Sequence, residues 1–162
     1  MGVFFDASEI LQFAIRIEEN GEKFYKKVAE KTDIKEVKDF FLTLAEEEVE
    51  HKEIFIKMAD NIQKYEPAET YPGEYFQYLR SYADNLVFPA EVEKEMLCAD
   101  DLECIVDFAI KRELDSIMYY LEVKDFVKES QHKILDDIIS EERKHFIKLS
   151  RFKNQLKKDK KV

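Results

Sequence analysis

FAIKRELDSIMYY at residues 108–120 restates FAIRIEENGEKFY at residues 13–25, 95 positions further along the chain. In both stretches a Glu, Glu18 or Glu113, stands seven residues before a Tyr, Tyr25 or Tyr120, on an otherwise apolar helix face. Each stretch is followed by a second matching segment, LAEEEVEH at residues 44–51 and IISEERKH at residues 138–145, offset by 94. Two helical hairpins are therefore written in tandem, each with one Glu on its first helix and a Glu-x-x-His on its second. The expected architecture is all-α, a four-helix bundle of two duplicated hairpins whose facing helices build a site between them.

Residues three, four and seven apart share a helix face, so the neighbours of each Glu can be read directly. Glu18 shares its face with Leu11, Ala14, Gly21 and Tyr25, and Glu113 with Val106, Ala109, Ile110, Ser116 and Tyr120. Glu48 keeps company with Phe41, Leu44, His51 and Phe55, and Glu142 with Leu135, Ile138, His145 and Leu149. Four carboxylates thus point into a predicted core, where an isolated charge costs several kcal/mol or takes up a proton. No Lys or Arg occupies those stripes near the helix middles, and two divalent cations would balance four carboxylates.

The spacing fits such a pair of ions. Three helical residues advance about 4.5 Å, which lets Glu and His of each motif reach one ion from the same side. Carboxylates span the roughly 3.5 to 4 Å between the ions of a two-metal site, and a neutral imidazole completes each ion's set. The candidate ligands are Glu18, Glu48, His51, Glu113, Glu142 and His145. Hard oxygen donors with one nitrogen per ion suit iron or manganese, zinc fits the same set, and redox work makes iron the first choice. Tyr25 and Tyr120, two turns from a ligand, are core aromatics placed to hydrogen-bond a carboxylate or relay an electron.

A lone Glu-x-x-His carries little weight in a chain so rich in Glu. Glu129 and His132 form a third such pair, but it shares its face with Glu122, Asp125, Lys133 and Asp136 and has no counterpart in the first half. It reads as a solvated surface pair. The other two motifs gain their weight from apolar surroundings and from the repeat.

A bundle domain is expected over residues 1–157, with a first hairpin at about 6–64, a crossover at 65–100 and a second hairpin at about 101–157. Asp6 with Glu9, Asp33 with Glu36 and Asp100 with Glu103 have the form of capping boxes that open helices one, two and three. The third helix should end near Lys128 and the fourth should run from Gln131 to Leu156. All three prolines, Pro67, Pro72 and Pro89, fall in the crossover, which also carries a helix-like stretch, YFQYLRSYADNLVF. Its tyrosines and phenylalanines suit packing or a subunit interface. Residues 158–162 read as a disordered lysine tail.

Composition narrows the classes of function. Hydrophobic residues make up 45% and charged residues 38% of 162, with three Gly and three Pro, which fits one helical domain and leaves few residues for strands and tight turns. A net charge of -10 argues against nucleic acid, whose phosphates need a basic face. No apolar run reaches membrane length and no signal peptide is visible, so a cytoplasmic protein with Cys98 and Cys104 as free thiols is expected.

With IEENGEKFY, EVEH, RELDSIMYY and ERKH placed in this way, the chain resembles the ferritin-like diiron-carboxylate superfamily from about Ile10 to Leu149, and within it the rubrerythrin-related branch that lacks a rubredoxin domain. The resemblance implies a left-handed four-helix bundle, two iron ions, and reaction with hydrogen peroxide or dioxygen. It assigns Glu18 and Glu113 as single helix ligands, Glu48 and Glu142 as bridging or chelating carboxylates, and His51 and His145 as imidazole ligands. Two departures stand out. Peroxide-reducing rubrerythrins carry a further carboxylate one turn before the third-helix Glu, where this chain has Ile110, and no C-x-x-C pair is present to hold a rubredoxin iron.

The expected function is a diiron oxidoreductase working with an external electron donor such as rubredoxin, as a small homo-oligomer, most simply a homodimer. A ferroxidase or iron-handling protein is the alternative. A metal-stabilised structural or sensor bundle without catalysis is the other.

Overall fold

The computed structural model describes residues 7–61, 74, 77–78, 81 and 101–160. Four long helices account for nearly all of them: α1, Ala7–Glu30; α2, Lys35–Asn61; α3, Leu102–Val123; and α4, Glu129–Asp159. No strand occurs among the described residues. The connection from α1 to α2 is short: Lys31 N–H closes the end of α1 on the Lys27 and Val28 carbonyls, and Thr32 Oγ1 accepts from Ile34 N–H at 3.3 Å. A link of this length forces α1 and α2 into an antiparallel hairpin.

Helix α3 opens on Asp101, whose extended backbone and side-chain acceptor for Glu103 N–H (3.1 Å) make it the N-cap. The cap falls one residue later than the expected Asp100. At its other end α3 gives way to a single 3-10 turn, Lys124–Phe126, and then to Val127 in extended conformation. This break comes before the expected one at Lys128 because Val127 is buried, and extended backbone there turns its side chain inward. Helix α4 continues past Leu156 to Asp159, and Lys160 Nζ lies 3.2 Å from Glu103 and 3.5 Å from Asp101. Lys157 Nζ lies 3.7 Å from the same Glu103, so these two lysines stand over the start of α3.

The core explains the topology. One apolar cluster contains Leu11 and Ala14 of α1, Phe55 and Met58 of α2, Tyr119, Tyr120 and Val123 of α3, and Leu135 and Ile139 of α4. A second contains Tyr25 and Val28, Phe41 and Leu44, Val106 and Ala109, and Leu149. In chain order α1 and α4 pass from the first cluster to the second, while α2 and α3 pass from the second to the first. Helices α2 and α3 therefore run parallel, and α2 ends at the opposite end of the bundle from where α3 begins. The expected crossover with its short helix lies almost wholly outside the described residues; Gln77, Tyr78 and Ser81, within its helix-like stretch, are helical.

Cys104, near the start of α3, is disulfide-bonded, which corrects the expectation of free thiols. A reducing compartment bears on whether a bridge persists; whether two sulfurs can meet is set by local geometry.

Phe41 joins the hairpins within the second cluster: it is fully buried, stacks on Tyr25 at 6.0 Å and meets Phe152 edge-on at 6.0 Å. Phe41→Ala is expected to cost about 3–5 kcal/mol in denaturant unfolding of the metal-free protein. A loss below about 1 kcal/mol would show that the hairpins do not depend on this contact.

Candidate metal centre

Between the two apolar clusters lies a polar layer contributed by all four helices: Glu18 from α1, Glu48 and His51 from α2, Glu113 from α3, and Glu142 and His145 from α4. None of the six is more than 5% exposed. The structure brings together every ligand expected from the sequence. Their donor atoms form two overlapping groups, Glu18, Glu48, His51 and Glu142, and Glu48, Glu113, Glu142 and His145, within each of which the atoms lie within 4.8 Å of one another. Glu48 and Glu142 belong to both groups. His132, by contrast, stands at the start of α4 with Nε2 3.3 Å from the Val127 carbonyl, apart from both groups.

The imidazoles present Nδ1 to the centre. His51 Nδ1 lies 2.7 Å from Glu142 and 3.5 Å from Glu18, and His145 Nδ1 lies 3.3 Å from Glu48 and 3.6 Å from Glu113. The rings stack at 5.5 Å between centroids. Proximity is not pairing here, because Glu18 Oε2, Glu142 Oε1 and both Nδ1 atoms, and His145 Nε2 on the ring's outer side, are buried without a hydrogen bond of acceptable geometry. Buried polar atoms are rarely left so. Lone pairs that converge without aiming at each other are what cations between them would satisfy, and the donor set fits a pair of metal ions.

Two tyrosines tie the halves together crosswise. Tyr25 of α1 donates its hydroxyl to Glu113 Oε1 of α3, and Tyr120 of α3 donates to Glu18 Oε1 of α1. Burial first, and then the carboxylates around them, push both phenols well above their ordinary range, so both keep their protons. Each tyrosine thereby fixes one carboxylate oxygen and leaves the other free for the centre.

One residue was not singled out from the sequence. Glu47 reaches from α2 toward α4, with Oε2 2.9 Å from His145 Nε2 and both oxygens within 2.9 Å of Lys148 Nζ. His145, and after it Lys148, hold the Glu47 carboxyl down at about 2. In the run Glu46–Glu47–Glu48 no sequence signal distinguishes the inward carboxylate's neighbour from the solvated one.

A cavity of about 40 Å³ approaches the centre between α1 and α3, lined by Gly21, Tyr25, Glu48, Arg112, Glu113 and Ser116 among others. Gly21 and Ser116 are repeat counterparts. A Cβ at Gly21 would stand 3.1 Å from Glu48 Cδ and Oε2.

Bundle, repeat and buried carboxylate–imidazole layer together define a ferritin-like protein with a centre able to hold a metal pair. The family model for rubrerythrin matches residues 9–153, and the chain belongs to the rubrerythrin family. Among solved structures it is similar to a protein of Thermotoga maritima described as ferritin-like and diiron-carboxylate, with 36% identity, 93% of this chain and 96% of that one covered, and a TM-score of 0.72. It is also similar to a hypothetical protein from Pyrococcus furiosus, at 26% identity, 94% and 90% coverage and a TM-score of 0.64. No curated protein matches. Among the described residues no helix is long and apolar enough to cross a membrane.

In the metal-free chain the charges of the layer must be met by protons. Burial, with Glu18 next, pushes Glu48 and Glu142 well above the usual carboxylate range. Burial pulls His145 down, but Glu113 and Glu47 outweigh it and raise the ring to about 10. Glu18 moves the other way, since hydrogen bonds with Glu48, His51 and Tyr120 outweigh its burial. His145 therefore keeps its proton at neutral pH, Glu48 and Glu142 hold theirs to higher pH than an ordinary carboxylate, and metal must displace them. Proton release on metal addition in weak buffer is expected, with apparent affinity rising from neutral pH toward about 10, where His145 gives up its proton. An affinity flat across that window would contradict this balance.

Gly21→Ala separates fold from site. No described Gly has a positive φ and Gly21 lies inside α1, so the backbone accepts Ala, which favours a helix interior by about 0.5–1 kcal/mol. The metal-free variant should unfold no earlier than the parent, while displacement of Glu48 weakens metal binding about tenfold or more. Unchanged affinity would mean that Glu48 shifts without consequence.

Proposed function

We propose that the chain is a non-haem diiron oxidoreductase that reduces hydrogen peroxide or dioxygen with electrons from a separate donor protein. The observation that carries this reading is the sharing of Glu48 and Glu142 between two buried ligand groups, which suits two ions side by side. Iron fits the oxygen-rich set with one imidazole per ion, and manganese or zinc are accepted by the same donors. When bound, an iron pair supplies the two electrons that convert hydrogen peroxide, with two protons, into two waters.

The chain's own residues set the conditions for that reaction. The cavity between α1 and α3 has room for molecules the size of water or peroxide. Gly21 keeps it open beside Glu48. Tyr25 and Tyr120 remain protonated and hold Glu113 and Glu18 in place, so they act as positioning groups and not as acids. Without a C-x-x-C pair the chain has no rubredoxin-type iron of its own, and re-reduction falls to a partner such as rubredoxin. A homodimer is the assembly we propose.

One observation favours a second reading. Ile110, at the place of the further carboxylate in peroxide-reducing relatives, packs against the second apolar cluster, which leaves the centre with six near-symmetric ligands. That symmetry suits oxidation of Fe(II) for iron handling. Rapid mixing of the anaerobic ferrous protein with peroxide should give near-ultraviolet diferric absorption, lost in Glu48→Ala, and turnover with reduced rubredoxin. Diferric product without sustained turnover would favour iron handling, and no optical change would sink both readings. Sedimentation distinguishes a dimer from the hollow shell that storage requires.

A further inference from the structure

One layer out from the ligands, the two halves of the centre are not equivalent. Glu47 Oε2 stands 2.9 Å from His145 Nε2, a charge contact off the line of the ring N–H in the metal-free chain, and Lys148 Nζ holds both Glu47 oxygens, at 2.8 and 2.9 Å. His145 Nδ1 meanwhile faces Glu48 and Glu113. A chain of contacts thus runs from solvent into the centre, from Lys148 through Glu47 to the outer nitrogen of one ligand ring.

The repeat gives every member of this chain a counterpart 94 positions away: Glu141 for Glu47, His51 for His145 and Ile54 for Lys148. Glu141 turns outward and pairs with Lys144 on its own helix at 2.5 Å, its side chain 42% exposed against 28% for Glu47. Ile54 carries no charge to draw Glu141 across, and packs against the first apolar cluster. Among the described residues no carboxylate lies within ion-pair distance of His51 Nε2, and the acidic partners of that ring all face Nδ1.

A carboxylate held against the outer nitrogen of a ligand imidazole makes the ring a more basic ligand, and once it accepts that N–H it also fixes tautomer and orientation; loss of such a partner weakens metal binding about 10–100-fold. We infer that Glu47, held by Lys148, makes the His145 half of the centre the tighter of two ion sites, so that it fills first while the Glu18–His51 half holds the exchangeable ion. This rests on the two-ion reading above and adds an order of filling to it. Glu47 is a positioning residue in this scheme, since it touches His145 and not the ion.

The test is calorimetric titration of the metal-free full-length protein with Zn(II), with a competing chelator for the tight range and circular dichroism to verify helicity. Two ions per chain should bind in steps at least about tenfold apart. His145→Ala should remove the tight step and His51→Ala the weak one. Glu47→Gln should lower the tight step about 10–100-fold and merge the two, while Glu141→Gln changes neither. Lys148→Met, at a half-exposed position, should weaken the same step with Glu47 still present. Equal steps in the parent protein, or Glu47→Gln and Lys148→Met affecting both steps alike or neither, would overturn the order of filling and leave the two-ion centre standing. Failure of the parent to bind two ions would overturn the two-ion reading itself.

Discussion

Four carboxylates share the middle of this bundle, and the rest of the molecule is arranged around that constraint. Each of the four would prefer water, and bringing them together inside apolar walls is favourable only when positive charge or protons come with them. Among the described residues no lysine or arginine is buried at the layer; the buried polar and charged groups there are the four glutamates, the two histidines and Ser116. Two apolar clusters, one above and one below, hold the layer in place from both ends. Stability is thus concentrated at the ends of the bundle and reactivity at its centre.

The same duplication that builds the centre also departs from symmetry where chemistry needs it to. Tyr25 and Tyr120 exchange partners across the bundle, so each half holds the other half's single-helix glutamate. Gly21 and Ser116 face the same cavity, yet only the first must be small: Ser116 turns its hydroxyl back onto the Arg112 carbonyl at 3.0 Å, whereas any side chain at Gly21 meets Glu48. Beyond the ligands, Lys148 and Ile54 occupy matching positions with opposite character. A duplicated site keeps its ligands alike while its surroundings diverge.

Much of this was legible in the sequence, because helical periodicity and an internal repeat are both local patterns. The repeat gave the six candidate ligands and the hairpins, and the apolar company of each Glu separated buried motifs from the Glu129–His132 pair. What was not legible depends on contacts between distant helices. Glu47 is one of three consecutive glutamates, and only the approach of α4 selects it. The α3 cap at Asp101 rests on the extended backbone of that residue, and the early end of α3 on the burial of Val127, neither of which a spacing rule registers. The crossover at 65–100 has mixed composition and lies almost wholly outside the described residues.

The central claim is that paired cations hold Glu18, Glu48, His51, Glu113, Glu142 and His145 at one point. Anomalous diffraction from crystals of the metal-loaded protein, collected on both sides of the metal's absorption edge, addresses it most directly. The account predicts two peaks about 3.5 to 4 Å apart, both within bonding reach of Glu48 and Glu142, one beside His51 and the other beside His145. A single peak, or ions located only on the acidic surface, would contradict it.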